Sequence, residues 1–289
     1  MKSLHLSLAL GAIAAMVAVG KPPSADAQTI GVSELPSQTH IHGLAVDRQD
    51  SNYLLIATHH GLFRAGPEGK AERISVVQDF MGFNAHPSDP DTLFASGHPA
   101  EGGNLGFIAS TDRGRTWEQI SPGVDGPVDF HQMTVSPADP QTIYGAYGAL
   151  QVSHDAGKTW TIVGDLPERL IDLAASAKAA ATLYAATEGG LFVSRDGGVG
   201  WENVAEGAPV SMVEVAPDGR LYAFVLGRGL LTSAEDPLDF QIVSADWSDR
   251  FLLHLAVDPG NAARLFGATQ DGVILASSDG GKTWTTFGG

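Results

Sequence analysis

Ser277-Ser278-Asp279-Gly280-Gly281-Lys282-Thr283-Trp284 has two close copies upstream, Ser110-Thr111-Asp112-Arg113-Gly114-Arg115-Thr116-Trp117 and Ser153-His154-Asp155-Ala156-Gly157-Lys158-Thr159-Trp160. A fourth, Ser194-Arg195-Asp196-Gly197-Gly198-Val199-Gly200-Trp201, keeps Ser, Asp, Gly and Trp but has Gly200 where the others have Thr. The pattern is that of a tight hairpin. The Asp carboxylate accepts hydrogen bonds from N–H groups of its own turn, and the Gly takes a positive φ. The Trp then opens the next strand as a large apolar anchor.

The spacing sets the architecture. Trp117 to Trp160 is 43 residues, Trp160 to Trp201 is 41 and Trp201 to Trp284 is 83, two periods with a degenerate copy between, Leu231 to Phe240. One period before Trp117 lies Ile74, after the turn Gly66-Pro67-Glu68-Gly69. Six units of about 42 residues therefore fill residues 40–289, the scale of a propeller blade. Each unit reads as four short strands, a to d. Strand a is an apolar run such as His42-Gly43-Leu44-Ala45-Val46, a Pro/Asp turn follows, and strand b is rich in β-branched and aromatic residues. A Gly turn leads to strand c, and the repeated hairpin joins c to d. The prediction is all-β: one six-bladed β-propeller of four-stranded antiparallel blades, with residues 28–39 as an extension packing along the first or last blade.

The repeated hairpin resembles the Asp-box, or BNR repeat, of sialidases, the sortilin ectodomain, a photosystem II assembly factor and many exported bacterial propellers. In those folds the boxes are structural staples. The resemblance implies that role for Asp112 with Trp117, Asp155 with Trp160, Asp196 with Trp201 and Asp279 with Trp284.

Residues 1–27 read as a cleaved secretory signal. Lys2 precedes an apolar run from Leu6 to Gly20, too short for a comfortable membrane span, and Ala25-x-Ala27 suits a signal peptidase. The mature chain is expected to start at Gln28, in the periplasm or outside the cell, with no membrane-crossing segment. The absence of Cys excludes disulfides, thiolate chemistry and a lipid-modified Cys anchor. A formal net charge of −16, with no run of Lys or Arg, argues against nucleic acid as a partner.

Alternating strand direction sends the a–b and c–d turns to one end of the disc. The b–c turns and the starts of strand a go to the other, where loops from every blade converge and a ligand is expected. Six His map to that second end. His40 and His42 begin strand a of blade one, and His59 and His60 form its b–c turn. His98 is in the b–c turn of blade two, and His131 begins strand a of blade three. Asp79 and Asp129 precede strand a of blades two and three. At spacing two in a strand, His40 and His42 point the same way, about 6.6 Å apart, which suits two ligands of one Zn or Cu ion completed by His131, Asp79 or Asp129. The same residues also fit a neutral, hydrogen-bonded His network.

Blades four to six offer Arg169, Arg228 and Arg250 at that end, with Glu188 in a b–c turn. Three guanidinium groups suit a substrate carboxylate. Asp79 and Asp129 are candidates for the acid/base pair of glycoside hydrolysis, with His131 as relay, and His59, His60 and His98 would line the substrate. Over nearly the whole mature chain, segments such as His40-Ile41-His42-Gly43-Leu44, Thr58-His59-His60-Gly61-Leu62-Phe63 and Asp129-Phe130-His131 give a resemblance to exported bacterial Asp-box propellers of glycosyl-hydrolase-like type. That resemblance implies a sugar or small anionic ligand at the His/Asp-rich mouth. The Arg-Ile-Pro element and the Tyr–Glu nucleophile pair of sialidases are missing. The other expectation is a non-enzymatic periplasmic propeller that binds metal or a protein partner at the same end.

Overall fold

Six antiparallel sheets follow one another along the chain, five of four strands in sequence order and the first of four such strands plus one more on its outer edge. In this computed structural model residues 28–167 and 169–289 are described. The segment 1–27, with the expected export signal, lies outside them. The inner strands are Ile41–Val46, Met81–Ala85, Gln132–Val135, Leu170–Ala175, Val210–Val215 and Leu252–Asp258. Each neighbours the next around a closed ring, the last returning to the first. The predicted propeller is therefore what forms. Apart from one 3-10 turn, Val32–Glu34, and one helical turn, Leu35–Gln38, the described residues hold no helix.

Between blades the core is apolar. Phe63 and Leu54 of blade one pack with Phe266 and Ile274 of blade six, and Phe80 and Phe83 of blade two pack with Leu55 and Leu62 of blade one. Towards the axis, single polar side chains bridge the inner strands. Asn84 donates to Met133 O at 2.7 Å, and Ala175 N donates to Thr134 Oγ1 at 3.0 Å. Val213 N donates to Asp172 Oδ2 at 3.0 Å, and Ser211 Oγ donates to Leu252 O at 2.7 Å. Blades one and two instead approach sterically, since a Cβ on Gly43 would lie 3.0 Å from that of Phe83.

The repeated hairpins behave as their residue types dictate. Asp112 accepts from Thr116 N at 2.8 Å and from its hydroxyl at 2.7 Å, while Ser110 Oγ accepts from Gly114 N at 2.8 Å. Gly114 takes φ 83°, a conformation in which any Cβ would strike Leu62. Trp117 donates to Gly114 O and packs against Phe80, ring centres 4.7 Å apart. The same bonds recur around Asp155 and Asp279. Each hairpin also bonds the a–b turn of its own blade, as in Ala156 N to Gln141 O and Gly280 N to Ala263 O. That fixes the two turn types at one end of the disc.

The N-terminal extension serves both first and last blades. Thr29–Gly31 adds a fifth strand to blade one, pairing with Lys70–Arg73. Val32 and Leu35 then sink into the core shared by blades one and six, and Pro36 abuts Gly272.

Candidate functional site

At the opposite end, b–c turns bond the starts of inner strands. His59 N donates to His40 O at 3.3 Å, and Asp79 N donates to His98 O at 2.9 Å. These bonds draw the imidazoles and carboxylates of blades one to three into one mouth. Blade two contributes through an unusually long b–c connection, residues 97–106, in which Gly97, Gly102, Gly103 and Gly106 all take positive φ.

Two triads result. In the first, Asp79 Oδ2 lies 2.7 Å from His59 Nδ1 and Oδ1 lies 3.6 Å from His42 Nε2. In the second, Asp129 Oδ2 lies 2.9 Å from His98 Nε2 and 2.6 Å from His131 Nε2. Within each triad one donor atom per residue lies within 4.8 Å of the other two. Each aspartate starts a blade and meets the His of the preceding blade's b–c turn.

His42 sits where the inner strand slips register, between Ile41↔Thr58 and Gly43↔Ala57. A bulge breaks strict alternation, so the period-two argument that joins His40 to His42 does not apply there. The ring of His59 lies 5.4 Å from that of His40 and 4.2 Å from that of His42. His40 stays outside the His42–His59–Asp79 group. His60 turns its Nδ1 to Thr39 Oγ1 at 3.0 Å and likewise adds no donor atom to it.

Burial depresses the His42 imidazole to about 3, helped by the neighbouring His59, His254, His131 and His40. It is thus a neutral ring with an available lone pair. Its Nε2 and Asp79 Oδ1 are both buried without a hydrogen-bond partner. His98 differs. Its Nδ1 lies 2.7 Å from Gly103 O, and a carbonyl only accepts, so the proton is on Nδ1. Nε2 of the neutral ring then turns a lone pair on Asp129 Oδ2, an arrangement that calls for a positive charge between them. The hydrogen bond to Gly103, with Asp129 and Asp79 nearby, raises the His98 imidazole above its usual range.

Phe80 and Phe130, adjacent in sequence to the two aspartates, turn into blade cores against Trp117 and Trp160. Across the mouth, Arg169 pairs with Glu188, and Arg228 and Arg250 are exposed. Tyr147 is exposed too, its hydroxyl accepting from Asn104 at 3.1 Å.

Below the mouth an axial cavity of about 550 Å³ runs from His42 and His131 past Asp172, Glu214 and His254 to Arg48 and Pro137 at the far end. Burial pushes Asp172 up to about 7 and Glu214 up to about 8, the latter also repelled by Asp172. Burial lowers His254 to about 4. The two channel acids are absent from the sequence-derived site. The signal was present: a lone acid interrupts each apolar run, in Leu170-Ile171-Asp172-Leu173 and Met212-Val213-Glu214-Val215.

No family model matches the chain. A probable oligoxyloglucan-reducing end-specific xyloglucanase of Neosartorya fischeri is 29% identical over 135 residues, 41% of this chain and 17% of that protein. The crystal structure of the Niastella koreensis GH74 enzyme superposes with a TM-score of 0.60 at 15% identity, covering 86% of this chain and 45% of that one. The chain thus spans less than half the length of either glycosidase. YCF48 bound to D1 peptide matches with a TM-score of 0.55 at 19% identity, over 90% of this chain and 85% of that one. At these structural identities the likeness is one of fold.

Proposed function

We propose that this propeller binds a borderline transition-metal ion, Zn or Cu, at its His/Asp mouth. One observation carries the reading: His42 Nε2 and Asp79 Oδ1, both buried and without a hydrogen-bond partner, face each other at 3.6 Å with His59 on the same carboxylate. An unsatisfied buried polar atom costs about 1–3 kcal/mol, so two facing one another mark a gap that an ion closes. Two imidazoles and one carboxylate suit Zn or Cu, and three protein ligands leave a position open for an exchangeable ligand. Export completes the reading, supported by the apolar run Leu6 to Gly20 and the Ala25-x-Ala27 site.

Elemental analysis of purified protein, followed by calorimetric titration of the stripped protein with Zn or Cu(II), tests it. At least one tightly held equivalent is expected, and His42→Ala or Asp79→Asn removes it. Wild-type protein that neither retains metal nor titrates below millimolar concentrations ends the proposal.

A second reading, carbohydrate binding, is favoured by the placing of Asp79 and Asp129 in one mouth on a fold shared with a GH74 enzyme. Against it, an imidazole already engages one oxygen of each carboxylate. Xyloglucan oligosaccharides titrated by NMR, with Asp79→Asn and Asp129→Asn as controls, distinguish it: sugar-induced shifts in metal-free wild type, lost in both variants, favour this reading over the first.

A further inference from the structure

We infer that the mouth holds two metal ions, the second on His98, Asp129 and His131. This rests on the reading of the mouth as a metal binder and extends it to a separate site.

Repeat geometry is the first support. Asp79 opens blade two and meets His59 from the b–c turn of blade one, and Asp129 opens blade three and meets His98 from the b–c turn of blade two. A third donor completes each set: His42 from the inner strand of blade one, His131 beside Asp129. The same device is thus built twice on successive blade junctions. It stops at the next, where blade three offers Tyr147 and Gly148 in its turn and blade four begins with Arg169.

The chemistry of the second set is the other support. The Asp129 side chain is 6% exposed, and its Oδ1 is buried with no hydrogen-bond partner. Its Oδ2 faces Nε2 of both imidazoles, and the His98 Nδ1 proton is committed to Gly103 O. A buried carboxylate with Oδ1 orphaned and Oδ2 turned to two imidazole nitrogens calls for positive charge, and a cation held by the three residues would supply it.

The two sites differ in depth. His98 and His131 side chains are 39% and 62% exposed, against 16% for His42, so the second ion exchanges more freely and binds more weakly. A Zn titration of stripped wild-type protein is expected to show two equivalents with dissociation constants at least tenfold apart. His131→Ala, at an exposed position that leaves the fold intact by circular dichroism, removes the weaker equivalent and keeps the tighter. His42→Ala does the reverse, and Cu(II) loading gives two distinct electron paramagnetic resonance signals of which each variant loses one. A single wild-type equivalent unaffected by His131→Ala overturns the second site and leaves the first. A single equivalent lost in both variants means one shared ion and overturns it equally. No equivalents at all overturns both readings, with a proton on His98 then supplying the charge.

Discussion

The imidazole of His254, in the innermost strand of the last blade, donates from Nε2 to the carbonyl of Ile41 in the first, at 3.3 Å across 213 residues of sequence. A carbonyl only accepts, so the ring is the neutral Nε2–H tautomer. This bond is the axial counterpart of the Asn84, Thr134, Asp172 and Ser211 bridges, and it spans the junction where the ring closes.

Replacing His254 by Leu leaves the Ile41 carbonyl unpaired beside the channel, a loss of about 1–3 kcal/mol. Urea unfolding at pH 7 reads this as a lowered midpoint with an unchanged slope. The acid limb provides a second check. A His held at about 4 when folded and near 6.5 when unfolded binds fewer protons in the native state, so its contribution is lost as pH falls from about 6.5 to about 4. His254→Gln keeps a donor, and its acid loss of stability is smaller than that of wild type.

Glu214 and Asp172 act in the opposite direction. Both are raised, to about 8 and about 7, so the native state holds protons that the unfolded chain releases above about 4.5. Their contribution is fully present below that pH and lost as pH rises through the folded values. Glu214→Gln should therefore exceed wild type by about 2 kcal/mol at pH 9 and match it at about pH 4. Equal differences at both pH values would show that the Glu214 carboxyl titrates as if in water.

Gly200 replaces the threonine whose hydroxyl bonds the turn aspartate in the other three hairpins. Asp196 still accepts from Gly200 N at 2.9 Å, and a Cβ there would sit 3.2 Å from Asp196 Oδ2. Gly200→Thr supplies the missing hydroxyl and stiffens the unfolded chain, raising stability by about 0.5–1.5 kcal/mol. Thr159→Gly loses a similar amount, and thermal melts of the pair should move in opposite directions.

Leu35 is fully buried in the seam between blades one and six. Leu35→Ala should cost about 2–4 kcal/mol by lost burial and the cavity left behind. A cost below about 1 kcal/mol in urea unfolding would mean the extension does not hold the seam.

Blade number, strand order and the end at which the His gather were legible because they follow from turn spacing and strand alternation alone. The hairpins at Asp112, Asp155, Asp196 and Asp279 repeat a local chemistry that needs no tertiary context. The partners within the mouth were less legible. A register slip at His42 redirects one imidazole, and period-two reasoning is blind to a slip of one residue. The pairing of His59 with Asp79 crosses a blade junction, and only the assembled ring brings such residues together. Asp172 and Glu214 acquire their properties from burial at the axis, which depends on six strands converging there.

Gly69, at φ 76°, has room for nothing larger than hydrogen, because a Cβ would meet Gly288 O at 2.2 Å, and its own carbonyl accepts from Val32 N at 2.9 Å. One turn of blade one therefore receives both the start and the finish of the wheel. Topologically the order of the blades is then cyclic: stitching residue 288 to residue 28 and reopening the backbone at another junction leaves every sheet whole. A rearranged chain of this kind would preserve the mouth, since none of the six His and Asp side chains of its two triads depends on which blade is made first.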